Sequence, residues 1–212
     1  MSRYFYHGLG VPYFFPSNIT TVLDIFKTGG IKSKRLLGRK KRLGYNDLDY
    51  VSVCKKYSKE EYDCAYGSTG FYKYVQDCFC FIISDEIDAI KTETVPKCYW
   101  YFIDIVEKMK ENPNARYSDM FDEWQVKDQI ATSSIIGIGI PMRWLDGVDW
   151  RFCLESLQEL KEIISIAEAL GLDIVDSSRE NFVEEYEQEK RKNPHKTYQI
   201  QLGCILGSDT SE

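Results

Sequence analysis

Three features of this 212-residue sequence predict an α+β fold. Runs of strand length crowd the middle of the chain. Apolar residues at helical spacing flank those runs. No linker, internal repeat or low-complexity tract divides the sequence. The length is sufficient for one substantial core, and a hydrophobic fraction of 43% with 28% charged residues is that of an ordinary globular chain rather than a disordered one.

The elements follow in order. Residues 3–7 read as a strand. Ser17 is placed to cap a helix carrying Ile19, Val22, Leu23 and Phe26 at helical spacing, and Gly29-Gly30 stops it. A basic loop runs to Gly44. Residues 49–54 alternate like a half-buried strand. Residues 66–74 form a glycine-containing loop or a short helix. Residues 78–84 are continuously apolar and of strand length, as a central strand requires.

A helix over 99–111 closes at Asn112-Pro113-Asn114. Two strands follow over 123–129 and 134–140, separated by a turn at Thr132-Ser133-Ser134 and ended by Pro141. Asp149 could cap a long amphipathic helix with Leu157, Leu160, Ile164 and Ala167 on one face and Gly171 after it. A strand over 172–175, a charged helix over 179–192 ended by Asn193-Pro194, and a strand over 198–206 complete the chain. Residues 1–148 read as the core, and 149–212 as a helix-and-strand extension packed on it in a single structural unit.

Charge is unevenly distributed. Residues 32–42 hold seven basic side chains (Lys32, Lys34, Arg35, Arg39, Lys40, Lys41 and Arg42) and no acid; removing those seven from a net −6 leaves −13 on the remainder. One basic loop on an acidic body can hold the phosphates of a cofactor or of nucleic acid, or it can be a solvated loop that balances the body. A sequence pI near 5.2 argues against extended tracking along DNA. No run of 18 apolar residues occurs and the first residues carry no apolar leader, so the expectation is a cytoplasmic protein without a membrane partner. The seven cysteines include no Cys-x-x-Cys pair and the two histidines stand 188 positions apart, so no zinc site is expected. Cys78 and Cys80 would share one strand face as small buried side chains.

The candidate chemistry lies in two short stretches. His7-Gly8 ends the first strand, and Glu123 in Asp-Glu-Trp-Gln-Val-Lys-Asp opens a late one. Polar residues on strands far apart in sequence can meet across a sheet. Taken singly, each is ordinary: a lone histidine is more often a hydrogen-bonded structural residue, and one acid among 33 is more often a strand-edge charge. There is no Walker A loop and no Gly-x-Ser-x-Gly elbow. Gly137-Ile-Gly139 lacks the third glycine and following helix of a dinucleotide fingerprint, and its glycines read as close packing in a buried strand.

In their order these motifs resemble the ADP-ribosyltransferase superfamily, in the His-Tyr-Glu type of poly(ADP-ribose) polymerases and diphtheria-type toxins. In that family a His-Gly pair ends the first strand and a helix with a glycine stop follows. A tyrosine-bearing strand comes next, then a Ser-x-x-Tyr region leading into an apolar strand. A glutamate that opens a Glu-aromatic-x-Val strand comes last. His7-Gly8, residues 19–30, Tyr50, Ser68-Thr69-Gly70-Phe71-Tyr72 with residues 78–83, and Glu123-Trp124-Gln125-Val126 match in that order, over residues 3 to about 140.

The chain departs from the pattern at Leu9, where the polymerases carry Ser or Thr, and in a Ser-x-x-Tyr spacing that holds only as Thr69 to Tyr72. Ser52 also fits the Ser of an Arg-Ser-Glu subtype, which leaves the middle triad member open between Tyr50 and Ser52. Phe121, two before Glu123, departs from the arginine-modifying pattern.

The resemblance implies a split sheet core with NAD in a cleft between two small sheets, and toxin-like transferase chemistry. Catalytic roles fall to Glu123, His7 and Tyr50. His7, Gly8, Ser52, Ser68, Thr69, Tyr72 and Tyr74 would contact NAD, with Tyr72 or Tyr74 stacked on the flat nicotinamide ring. The acceptor is a protein or a nucleic acid. An alternative is a noncatalytic module that binds nucleic acid or a phosphorylated partner through loop 32–42. An NAD-using RNA 2′-phosphotransferase fits less well, because it would want further basic residues on the core strands and His195 is remote.

Overall fold

The computed structural model describes residues 4–6, 16–39, 48–55, 79–94, 108, 110–118, 123–142, 154–179 and 181–200. Their strands are β1 (Tyr4–Tyr6), β2 (Gly30–Lys32), β3 (Tyr50–Lys55), β4 (Cys80–Ile83), β5 (Ala89–Lys91), β6 (Glu93–Thr94), β7 (Tyr117–Ser118), β8 (Glu123–Lys127), β9 (Gln129–Ala131), β10 (Ile135–Ile140) and β11 (Asp173–Asp176). Helices among the described residues include α1 (Pro16–Lys27), α2 (Leu154–Ala169) and α3 (Phe182–Lys192).

Seven strands form one sheet in the order β11-β10-β4-β1-β3-β8-β5, with two-stranded ribbons β2-β9 and β6-β7 beside it. The fold is α+β: every neighbouring pair in the large sheet is antiparallel except β10 and β11, which are parallel. Within the described residues β1 pairs with both β3 and β4, so the sheet is continuous through the first strand.

The apolar pattern of the sequence decides which face is packed. Val51, Val53, Val126, Phe81, Ile83, Ile138 and Ile174 form a buried cluster with Val22, Leu23 and Ile25 of α1 and Leu160, Ile163, Ile164 and Ala167 of α2. Phe26 meets Phe81 edge to face with ring centroids 5.3 Å apart, and Lys27 Nζ reaches Glu162 Oε1 at 3.1 Å between the two helices. On the opposite face Cys80, Ile82 and Val175 pack against Phe182, Val183 and Tyr186 of α3. The C-terminal third is built into the sheet: β11 pairs with β10 over Gly137↔Asp173 to Ile140↔Asp176.

Gly139 explains how closely β10 approaches β4, since a Cβ there would lie 2.5 Å from Cys80 Sγ. The two glycines of β10 act in packing, as their sequence context suggests. Gly30 serves the ribbon in the same way. Its φ is +146°, and a Cβ would lie 2.2 Å from the Ile130 carbonyl oxygen.

Several elements differ from the sequence reading. α1 opens at Pro16, whose fixed φ suits a first helical position, so Ser17 lies inside the first turn and is not the cap. The strand expected over 123–129 is broken at Asp128, which adopts φ 60° and redirects the chain from β8 into β9. Asp173 to Asp176 form β11, one residue later than expected. Of the strand expected over 198–206, the described part makes a single parallel bridge, Ile174↔Gln199. Residues 66–74 and Asp149 lie outside the described residues.

A polar bolt fixes α3. Asp173, nearly inaccessible, accepts hydrogen bonds from Tyr186 Oη at 2.6 Å and from the Tyr198 N–H at 2.6 Å, and pairs with Lys190 Nζ at 3.0 Å. Lys190 also donates to the Lys196 carbonyl at 2.9 Å. One carboxylate thus ties β11, α3 and the segment leading to Ile200 together.

Candidate active site

Glu123 is the first residue of β8 and only 6% exposed, an uncommon setting for a carboxylate. Its backbone is held from the side: the Glu123 carbonyl accepts the Thr92 N–H at 3.0 Å and the Thr92 hydroxyl at 2.9 Å, and Thr92 is itself buried. The β3–β8 register places Glu123 opposite Cys54, Gln125 opposite Ser52 and Lys127 opposite Tyr50. Directly paired residues share a face, so one face presents Glu123, Gln125, Lys127, Ser52 and Tyr50. Phe5 of β1 pairs with Cys54 and joins the row that ends in Glu123. The other face of the same strands carries Val51, Val53, Trp124 and Val126 toward α1 and α2. The polar row therefore faces away from those helices.

Along a strand, same-face neighbours are separated by roughly 7 Å. Ser52 stands one such step from the Glu123 row and Tyr50 stands two. Tyr50 is also engaged: the Arg116 guanidinium carbon lies 4.3 Å from its ring centroid, and Arg116 Nη2 donates to its hydroxyl. Arg116 is anchored in turn by bonds to the carbonyls of Pro113 at 3.1 Å and Ala115 at 3.0 Å. Gln125 is 7% exposed and its Oε1 is buried without a hydrogen-bond partner. A buried amide oxygen left in that state costs on the order of 1–3 kcal/mol.

The Tyr50 end of this row is electropositive. Arg35 Nη2 donates to Asp49 Oδ2 at 3.1 Å and Arg35 Nε donates to Oδ1. That guanidinium holds the Asp49 carboxyl below its ordinary value of 3.8, with Lys127 and Arg116 acting in the same direction and partial desolvation opposing them.

The sheet thus brings together Tyr50, Ser52 and Glu123 of the residues singled out in the sequence, and ends β1 at Tyr6, immediately before His7. His7, Gly8, Ser68, Thr69, Tyr72 and Tyr74 lie outside the described residues, as do Lys40, Lys41 and Arg42. Thr92, Arg116 and Gln125 were not anticipated as part of the site. Gln125 was readable in principle, because a polar residue two places after Glu123 must share its strand face. Thr92 and Arg116 reach the site through loops, for which no sequence periodicity exists. Among the described residues no group of three or more His, Cys, Asp or Glu is arranged to hold a metal ion, and no helix is long and apolar enough to cross a membrane.

Comparison with known proteins finds no family model, no curated protein and no solved structure that matches this chain.

Proposed function

We propose that the chain transfers ADP-ribose from NAD to a macromolecular acceptor with release of nicotinamide. The observation that carries this reading is strand adjacency. The strand that runs into His7, the strand bearing Tyr50 and Ser52, and the strand opened by Glu123 come from residues 4–6, 50–55 and 123–127 and are immediate neighbours in the sheet. Motifs dispersed over some 120 positions are gathered on three consecutive strands.

In this reading Glu123 bonds a hydroxyl of the nicotinamide ribose and stabilises the positive charge that develops as the glycosidic bond breaks, the role carboxylates play in glycoside hydrolysis. A fixed carboxylate aimed at developing charge contributes about 10²-fold or more in rate. The double hydrogen bond from Thr92 supplies that fixity, because it locks the backbone from which the side chain springs. His7 and Gly8 would hold the adenosine-side ribose and the nicotinamide amide, Ser68 and Thr69 would contact NAD, and Tyr72 or Tyr74 would stack on the nicotinamide ring, as the resemblance implies.

Geometry favours Ser52 over Tyr50 as the middle triad member. Ser52 is one row from Glu123, whereas Tyr50 is two rows away with Arg116 over its ring.

The test is nicotinamide release from labelled NAD by the purified chain, with Glu123→Gln as control. Release that disappears in a variant of unchanged melting temperature supports the reading. Equal release by both proteins overturns it. The competing noncatalytic module is favoured by salt-dependent nucleic-acid binding without any NAD turnover.

A further inference from the structure

We propose that Gln125 selects the nicotinamide group of NAD by pairing its side-chain amide with the primary carboxamide of the ring. The inference rests on the transferase reading, which supplies NAD as the ligand; the role of Gln125 goes beyond it.

Three observations converge on this residue. The first is its unmet chemistry. Gln125 is 7% exposed, and its Oε1 is buried with no hydrogen-bond partner. Most buried polar atoms in folded proteins are bonded. A ligand N–H that meets this oxygen gains a bond and breaks none within the protein.

The second is its neighbours. The registers of β3 with β8 and of β5 with β8 set Ser52, Gln125 and Ile90 side by side on three strands. Directly opposed residues share a face, so this row lies on the face of Glu123. Ala89, next to Ile90, packs against the core on the other face, as alternation along β5 requires. Ile90 is 38% exposed, although isoleucine is among the residues most often buried. The row therefore offers an amide beside an open apolar side chain. That combination suits a flat ring carrying one amide at its edge.

The third is spacing. Gln125 follows Glu123 by two residues on β8, roughly 7 Å away on the same face. In NAD the ribose that Glu123 would hold and the carboxamide are attached to one rigid pyridinium ring, so a single ligand spans both rows.

Hydrogen-bonding capacity selects the carboxamide among the groups of NAD. A primary amide carries N–H donors and a carbonyl acceptor, and the Gln125 side chain carries the same set. Two such groups close a pair with one N–H···O bond in each direction. The second carboxamide N–H and the second lone pair of its oxygen stay available to Gly8, whose contact with that group the resemblance implies. A ribose hydroxyl makes one bond where the carboxamide makes two. A carboxylate in the same place has no N–H to donate and sets negative charge against Oε1.

The experiment uses the full chain, with nicotinamide and nicotinic acid as probes in isothermal titration calorimetry at neutral pH, where the acid is an anion. Nicotinamide is expected to bind about tenfold or more tightly than nicotinic acid, because a site built around a hydrogen-bonding group rejects the analogue that lacks it. Gln125→Leu should bring the two affinities within about twofold of each other, chiefly by weakening nicotinamide. Ile90→Ser should weaken both probes about threefold and leave their ratio unchanged, because it removes an apolar contact common to both rings. Circular dichroism checks the fold of each variant, and Gln125→Met repeats the test should Gln125→Leu lose it.

Equal affinities in the parent, no binding of nicotinamide, or a Gln125→Leu variant that weakens both probes alike and keeps the parent's preference overturns the assignment. The release test of Glu123 is read separately. A preference erased by Gln125→Leu, with release unchanged in Glu123→Gln, leaves the carboxamide subsite standing and sinks the transferase reading. Release lost in Glu123→Gln, with no preference between the probes, does the reverse.

Discussion

Ser52 on β3 stands directly opposite Gln125 on β8, one row along the sheet from the pair formed by Cys54 and Glu123. Gln125 brings to that row a buried amide oxygen with no partner. A buried polar group kept in that state lowers stability, and on the transferase reading its partner is NAD. On the transferase reading, Gln125→Leu should leave the melting temperature unchanged or slightly higher. Nicotinamide release should fall about tenfold or more, as loss of one buried hydrogen bond of roughly 1.5 kcal/mol predicts. A lowered melting temperature with full turnover would make Gln125 purely structural.

The bolt around Asp173 should carry much of the stability of the α3 side. Asp173→Ala leaves Lys190, only 12% exposed, without its carboxylate and strips Tyr186 and the Tyr198 N–H of their acceptor. The expected cost is about 3–5 kcal/mol in denaturant unfolding. Tyr186→Phe keeps the ring packing and removes one hydrogen bond, for about 1 kcal/mol. Near-equal losses in the two variants would show that the carboxylate does not join the elements as the distances indicate.

Gly139 and Cys80 should behave as a coupled pair. Gly139→Ala drives a methyl group into Cys80 Sγ at 2.5 Å and should cost about 1–3 kcal/mol. Cys80→Ala opens space at the same point. The double substitution should therefore be less damaging than the two single losses added together, by 0.5 kcal/mol or more in a thermodynamic cycle. Strict additivity would contradict the packing described for β10.

The Asp49–Arg35 pair sets a pH dependence of definite sign. The Asp49 carboxyl in the fold titrates below its ordinary 3.8, so the pair favours the fold at every pH above that value, and its contribution disappears as pH falls through the depressed value. Carboxyl chemical shifts should show Asp49 titrating below 3.8 in the parent and nearer to it in Arg35→Ala. The stability difference between Asp49→Asn and parent should shrink as the solution is acidified. An Asp49 that titrates identically in both proteins would exclude the ion pair from solution.

Much of the architecture was legible because its residues obey a period. The strand cores at Val51, Val53, Cys80 to Ile83 and Ile135 to Ile140 declare themselves by alternation or by continuous apolarity, and Leu160, Ile164 and Ala167 do so by helical spacing. Asp128 was not legible: a non-glycine residue at φ 60° carries no signature in sequence, and it splits one expected strand into members of two different sheets. The N-terminus of α1 was misread because Ser17 is a good cap in isolation, while Pro16 before it is a better first helical residue.

At the site, Glu123, Ser52 and Tyr50 could be proposed from motif order alone, but their spacing across the sheet required the register. Thr92 and Arg116 come from connections whose course depends on tertiary contacts, and nothing in their local sequence marks them.

Asp128 has a further consequence as a joint. Its main-chain bonds to Ser33 and Asp49 clamp those residues to one end of β8, and Glu123 sits at the other end. Four residue steps along a strand measure about 13 Å. The rim that carries Tyr50 and Lys127 and the buried carboxylate that opens β8 are thereby held at a set separation, like two jaws fixed to one bar.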